Sequence, residues 1–156
     1  MASQESTISE IRGSTRGKST TFYNADILSW DGTSGTFTQF IAPKGPNKWI
    51  MLDSVFLKYT FSGNTYDCPG VDYIISYSDS PTSIVSGTSS LDTYLESTVD
   101  VSGYNIITPT SWSWNADTGD MSNRGLVFGS SSAITDPGGA FGTLLINATY
   151  HTIDFS

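Results

Sequence analysis

The stretch Lys48–Phe61, KWIMLDSVFLKYTF, is the longest run of apolar and β-favouring residues in the chain. It reads as one long strand, bent at Asp53-Ser54. Beyond the bend Val55, Leu57, Tyr59 and Phe61 share one face, while Phe56, Lys58 and Thr60 share the other. That period of two marks a strand with one face in a core. The segment just before it, Ala42-Pro43-Lys44-Gly45-Pro46-Asn47, is dense in turn formers, so the chain reverses or crosses over there. A strand this long needs cover along its whole length, and the remaining elements are read as that cover.

The rest of the chain supplies short strands. Thr20–Ile27 reads as the first, and Thr36–Ile41 as the second, with Phe37, Gln39 and Ile41 on one side. Val71–Tyr77 alternates cleanly, and Gly103–Thr108, Ser111–Ala116 and Gly125–Gly129 are further short strands. The last, Gly142–Phe155, alternates Leu144, Ile146, Ala148 and Tyr150 with Leu145, Asn147, Thr149 and His151. Turn-rich segments separate them. Leu91, Tyr94 and Leu95 have helical spacing, with Ser89 or Ser90 as N-cap, and predict one short helix at most. About eight strands with no long alternating helices predict an all-β chain: an antiparallel β-sandwich, jelly-roll-like.

Composition agrees with a single such domain. At 156 residues the chain is long enough to bury a core without disulfides or metal. Hydrophobic residues reach only 37%, but 13% of residues are aromatic and only 14% charged, which separates the chain from disordered sequences. Residues 1–18 are polar, with Ile8 and Ile11 their only large aliphatic residues, and read as an N-terminal arm; residues 19–156 read as the sandwich. Cys68 alone forms no intramolecular disulfide. No apolar run approaches the ~20 residues of a membrane helix, and the first twenty residues lack a signal-peptide core. The expectation is a soluble protein made in a cytoplasm, with no membrane partner.

Charge is unevenly spread. Residues 1–48 carry Arg12, Arg16, Lys18, Lys44 and Lys48 against Glu5, Glu10, Asp26 and Asp31, a net of +1; residues 49–156 carry Lys58 and Arg124 against eleven carboxylates, a net of −9. An acidic body repels phosphate, which argues against nucleic acid as a partner. The basic arm has a natural place on the acidic face of a neighbouring copy.

The order of turns and strands resembles a family. The features are Ala25-Asp26-Ile27-Leu28, the strand Phe37–Ile41, the lysine-closed turn Pro43-Lys44-Gly45-Pro46-Asn47-Lys48, and Val55-x-Leu57-x-Tyr59. They continue through Asp72-Tyr73, Gly125-Leu126-Val127-Phe128 and Gly142-x-Leu144-x-Ile146-x-Ala148-x-Tyr150. Over residues 20–150 the chain resembles small β-sandwich virion proteins of tailed bacteriophages and prophages. The resemblance implies a non-enzymatic structural protein of the virion, capsid-decorating or tail-associated, in several symmetry-related copies. Its partners would be other copies of itself and other virion proteins. It implies no catalytic residues and no cofactor.

Candidates for chemistry are few. His151 lies inside the last strand, and Cys68 sits in a Cys-Pro-Gly turn without a basic neighbour, so it reads as a small half-buried residue. Asp72, Asp100, Asp117 and Asp120 offer carboxylate pairs of the kind any acidic protein has. Asn115–Asp120 has the oxygen spacing of a calcium loop, but its twelfth position is Leu126 where a glutamate is needed, so a turn is the better reading. Neither a catalytic nor a metal site is assigned. The candidate interface residues are Arg12, Arg16, Lys18, Lys44, Lys48, Trp112 and Trp114, the two lysines of the turn pairing with carboxylates of a neighbour. Trp112 and Trp114 share one face of a strand and have three readings: core filling, a subunit interface, or stacking on a glycan in a receptor-binding module.

Overall fold

The computed structural model describes residues 15–78, 83–85, 90–106 and 123–154, with backbone only for 83–85 and 105–106. Among these residues eight strands follow one another: β1 Arg16–Phe22, β2 Thr38–Ile41, β3 Lys48–Thr60, β4 Tyr73–Tyr77, β5 Ser83–Val85, β6 Val101–Ile106, β7 Leu126–Ser130 and β8 Thr143–Asp154. Two short helices, α1 (Asn24–Ser29) and α2 (Asp92–Leu95), and a 3-10 turn at Ser34–Thr36 lie in the connections.

The strands form two four-stranded sheets, ordered β1-β8-β3-β6 and β2-β7-β4-β5. Every pairing is antiparallel. First pairs with last (β1 with β8), then β2 with β7, β3 with β6 and β4 with β5. The chain is thus one long antiparallel ribbon, folded at β4–β5 and wound round a common core. That is the eight-stranded jelly roll, a β-sandwich of two Greek keys.

The long strand organises the first sheet as its sequence demanded. β3 pairs along its whole length with β8 and along its second half with β6. Its register against β8 slips between Leu52 and Ser54, leaving Asp53 as the extra residue of a β-bulge, so the expected bend is real. Beyond the bulge Val55, Leu57 and Tyr59 are buried while Lys58 and Thr60 are exposed. Ile50 and Leu52 are buried before it.

Aromatic rings join the two sheets. Phe22 of β1 stacks on Phe128 of β7 with centroids 5.1 Å apart, and Tyr73 of β4 stacks on the same ring at 5.5 Å. Trp30, which follows α1, packs against both phenylalanines at 5.3 Å and donates its Nε1–H to Thr38 Oγ1 at 3.0 Å. Buried aromatic pairs of this kind contribute about 0.5–1.5 kcal/mol each beyond their area. The middle of the barrel is filled with rings.

Several boundaries differ from the sequence reading. The first strand begins at Arg16 and ends at Phe22, so residues 16–18 of the expected arm belong to the sheet. Residues 24–27, read as the end of that strand, belong to the helix Asn24–Ser29, which gives a second short helix where one at most was expected. The physical reason is local. Phe22 faces Leu144, two residues into β8, so β1 runs out of partner. Asp26 then accepts the Tyr23 backbone N–H at 2.9 Å, capping the turn that carries Ile27 and Trp30 inward. The second helix is where Leu91, Tyr94 and Leu95 placed it, but its N-cap is Leu91, not Ser89 or Ser90. The expected strand at 111–116 and the turn at 115–120 lie outside the described residues.

Candidate functional site

Jelly-roll winding sends alternate connections to opposite ends of the barrel. The β1–β2, β3–β4, β5–β6 and β7–β8 connections meet at one end, and they are tied together. Isolated bridges join Asp31 to Ala133, Gly63 to Ala140, Asp67 to Thr135 and Asp72 to Ser90. Backbone bonds run from Asn64 N to Gly139 O at 2.8 Å, from Tyr66 N to Leu95 O at 3.1 Å and from Leu91 N to Val71 O at 2.8 Å. The buried Tyr66 hydroxyl donates toward Asn24 Oδ1 (2.8 Å) and Gly142 O (3.1 Å), linking three connections at one atom. Burial first, and the negative charge nearby second, raise its pKa. A loop cluster pinned this way presents a fixed surface.

Cys68 is inside this cluster and fully buried rather than half-buried. Burial, with the carboxylates of Glu96, Asp92 and Asp67 adding to it, pushes its thiol up to about 12. A thiol so held is a poor nucleophile. Its backbone N–H donates to Glu96 Oε1 at 2.9 Å, and Gly70 N–H donates to Asp92 Oδ2 at 2.8 Å. The Asp92 carboxyl is held below its ordinary value, first by the Ser90 hydroxyl and then by the N–H groups of Gly70 and Thr93, against the opposing effect of burial. These carboxylates brace loops.

The sequence-predicted basic residues Arg16, Lys18, Lys44 and Lys48 lie away from this cluster. Arg16 pairs in register with Tyr150 and Lys18 with Ala148, both on the exposed half of edge strand β1. Lys44 Nζ lies 5.3 Å from the centre of the Tyr150 ring, a cation–π contact within the chain. Lys48 Nζ lies 3.6 Å from Asp154 Oδ2, again within the chain, although both lysines were expected to reach a neighbour's carboxylates. The structure therefore gathers Arg16, Lys18 and Lys44 around Tyr150, while Lys48, opposite Asp154, stands four residues further along β8. Arg12, Trp112 and Trp114 lie outside the described residues, and the geometry adds nothing to the glycan reading of the tryptophans.

One constellation went unread in the sequence. Asp53, the bulge residue, faces His151 of β8, whose Nδ1 lies 3.0 Å from Asp53 Oδ2. An ionised carboxylate only accepts, so Nδ1 donates. Asp53 is the partner of the His151 ring among the described residues, and the Ser54 hydroxyl is engaged with Thr149 Oγ1 at 2.5 Å. The pair lacks a nucleophile there and acts as a latch across the bulge. Asp72 and Asp100 lie in different connections. Asp100 accepts the Phe61 N–H at 3.0 Å, while the Asp72 backbone bonds to Ser131. No group of three or more His, Cys, Asp or Glu side chains is placed to hold a metal ion among the described residues. No helix among them is long and apolar enough to cross a membrane.

No family model and no curated protein matches the chain. Among solved structures it is similar to a chain of the full particle of Israeli acute paralysis virus, heated to 63 degrees. The identity is 11% and the TM-score 0.29, over 99% of this chain and 79% of the other. At that score the likeness carries no weight of its own. The jelly roll rests on the strand order of this molecule.

Proposed function

We propose that this protein is a non-enzymatic structural subunit of a virion, a capsid-decorating or tail-associated component of a tailed bacteriophage. The strand order is the observation that carries the proposal. Eight-stranded jelly rolls with two Greek keys build viral capsid subunits, and also lectin domains and cupins. Cupins and ligand-binding barrels need an open interior, whereas here Phe22, Trp30, Tyr73 and Phe128 occupy the space between the sheets. The buried, protonated Cys68 thiol and the latched His151–Asp53 pair also favour a chain whose chemistry is packing. The resemblance of the sequence to phage virion proteins supplies the host class. In this reading the protein works beside copies of itself and other virion proteins.

Mass spectrometry of particles purified to constant composition tests it. The expected result is this chain at a copy number that is a multiple of a particle symmetry. Its absence from particles, with the protein recovered free in the lysate, contradicts the proposal.

A further inference from the structure

Four large apolar side chains are exposed among the described residues: Tyr23, Val99, Tyr104 and Phe141. Single exposed apolar residues are ordinary. Here three of the four, each more than 60% exposed, fall in one row. In the sheet order β1-β8-β3-β6, Tyr23 follows the last residue of β1, Phe141 precedes β8, the half-buried Phe61 follows β3 and Val99 precedes β6. Each strand of the first sheet thus carries an apolar residue just past its terminus, all at the braced end.

Hydrogen bonds hold the row in register. The Tyr66 hydroxyl bonds both Asn24, next to Tyr23, and Gly142, next to Phe141. Phe141 N–H donates to Ser62 O at 3.0 Å, and Phe61 N–H donates to Asp100, next to Val99. Phe141 also lies against Gly63, where an added Cβ would meet its ring at 3.0 Å. Exposed apolar side chains on a fixed backbone, rimmed by polar groups, are the form of an interaction surface.

The rim has one sign. Asp26, Asp31, Asp67, Asp72, Asp92, Glu96, Asp100 and Asp136 all lie in the four connections of this end, which contain no Lys or Arg. These eight carboxylates equal the whole net charge of −8, so the remaining seven acidic and seven basic residues cancel. The basic counterpart is a patch on edge strand β1 and the β2–β3 turn, where Arg16, Lys18 and Lys44 gather about Tyr150; Lys48 is paired with Asp154. Neither Arg16 nor Lys18 forms an ion pair among the described residues. Along β1, Lys18 and Arg16 stand five and seven residues from Tyr23, about 16 and 23 Å. Both distances exceed the ~8–10 Å screening length at physiological salt, so the two surfaces are largely screened from each other within one molecule.

We infer that the apolar row with its acidic rim docks a second copy of this chain, head to tail, against the Arg16–Lys18–Lys44 patch. Such a contact is heterologous and leaves one acidic and one basic surface free, so copies add in a ring or a stack. The inference rests on the virion reading only for its setting; the contact itself is a property of the purified chain.

Sedimentation velocity with two variants tests it. Y23S/F141S removes the row and K18E/K44E reverses the basic patch; V99S/Y23S replaces the first variant if circular dichroism finds it unfolded. The wild type is expected to self-associate, with a dissociation constant at least tenfold weaker at 500 mM than at 50 mM NaCl. Each variant alone is expected to be a monomer, and an equimolar mixture to give a 1:1 dimer and nothing larger, since each supplies the surface the other lacks. A monomeric wild type at all concentrations, or folded variants that associate like it, overturns the contact. So does a mixture that stays monomeric. Particle composition is independent of these results. A chain found in virions with unaffected variants overturns the contact alone, and head-to-tail association by a chain absent from virions overturns the virion reading alone.

Discussion

The ring of Tyr59 lies so close over Gly142 that an added Cβ there would meet the phenol oxygen at 2.2 Å and the ring carbons at 2.5 Å. Tyr59 is buried near the end of β3, and Gly142 immediately precedes β8, so the contact seats the two central strands of the first sheet at the braced end. Gly142→Ala is therefore expected to lower stability by about 1–3 kcal/mol through overpacking. Urea denaturation of the variant against the wild type measures it, and a change within error would mean that β8 shifts freely there.

Two buried tyrosines near that contact differ in what their hydroxyls do. Tyr66 reaches Asn24 and Gly142, while the Tyr59 hydroxyl has no hydrogen-bond partner among the described residues. Removing a bonded hydroxyl strands its partners; removing an unbonded one strands nothing. Tyr66→Phe is expected to cost about 1–2 kcal/mol, and Tyr59→Phe to leave stability within about 0.5 kcal/mol or to raise it. Equal losses for both in the same denaturation experiment would contradict the assignment.

The sequence announced the framework of this molecule more clearly than its ends. β3, its bend at Asp53 and the alternation of β8 were legible because each is a property of consecutive residues. The helix at Asn24–Ser29 was not, because apolar side chains at Phe22, Ile27 and Trp30 satisfy strand and helix about equally over so short a stretch, and where β1 runs out of its β8 partner is set by residues more than a hundred positions away. Asp53 and His151 lie 98 positions apart, and nothing local pairs them. The row at Tyr23, Phe61, Val99 and Phe141 becomes visible only once the strand order is known.

Cys68 should be silent in the native state. With its thiol pushed up to about 12, chiefly by burial, almost none is thiolate at pH 8. Its reaction with a disulfide reagent such as DTNB is expected to be about 100-fold slower or more than that of a free cysteine, and to reach the free rate in denaturant. Rapid native labelling would contradict the burial.

The braced end should loosen in acid, partly through Asp92. Its carboxyl is lowered in the folded state, so the stability it contributes is present above the unfolded value of about 3.9 and is lost as pH falls through the lower folded value. Thermal melts of wild type and Asp92→Asn are expected to differ by a constant amount above about pH 5, with the gap closing below about pH 4. A gap that widens in acid would reverse the sign and remove Asp92 from the account.

An electron cryomicroscopy reconstruction of the purified particle tests the central claim most directly. The account predicts repeated copies of one jelly roll, with sheets ordered β1-β8-β3-β6 and β2-β7-β4-β5, fitted to this chain in symmetry-related positions. A map in which every ordered domain is assigned to other chains, leaving no density for this jelly roll, would contradict it.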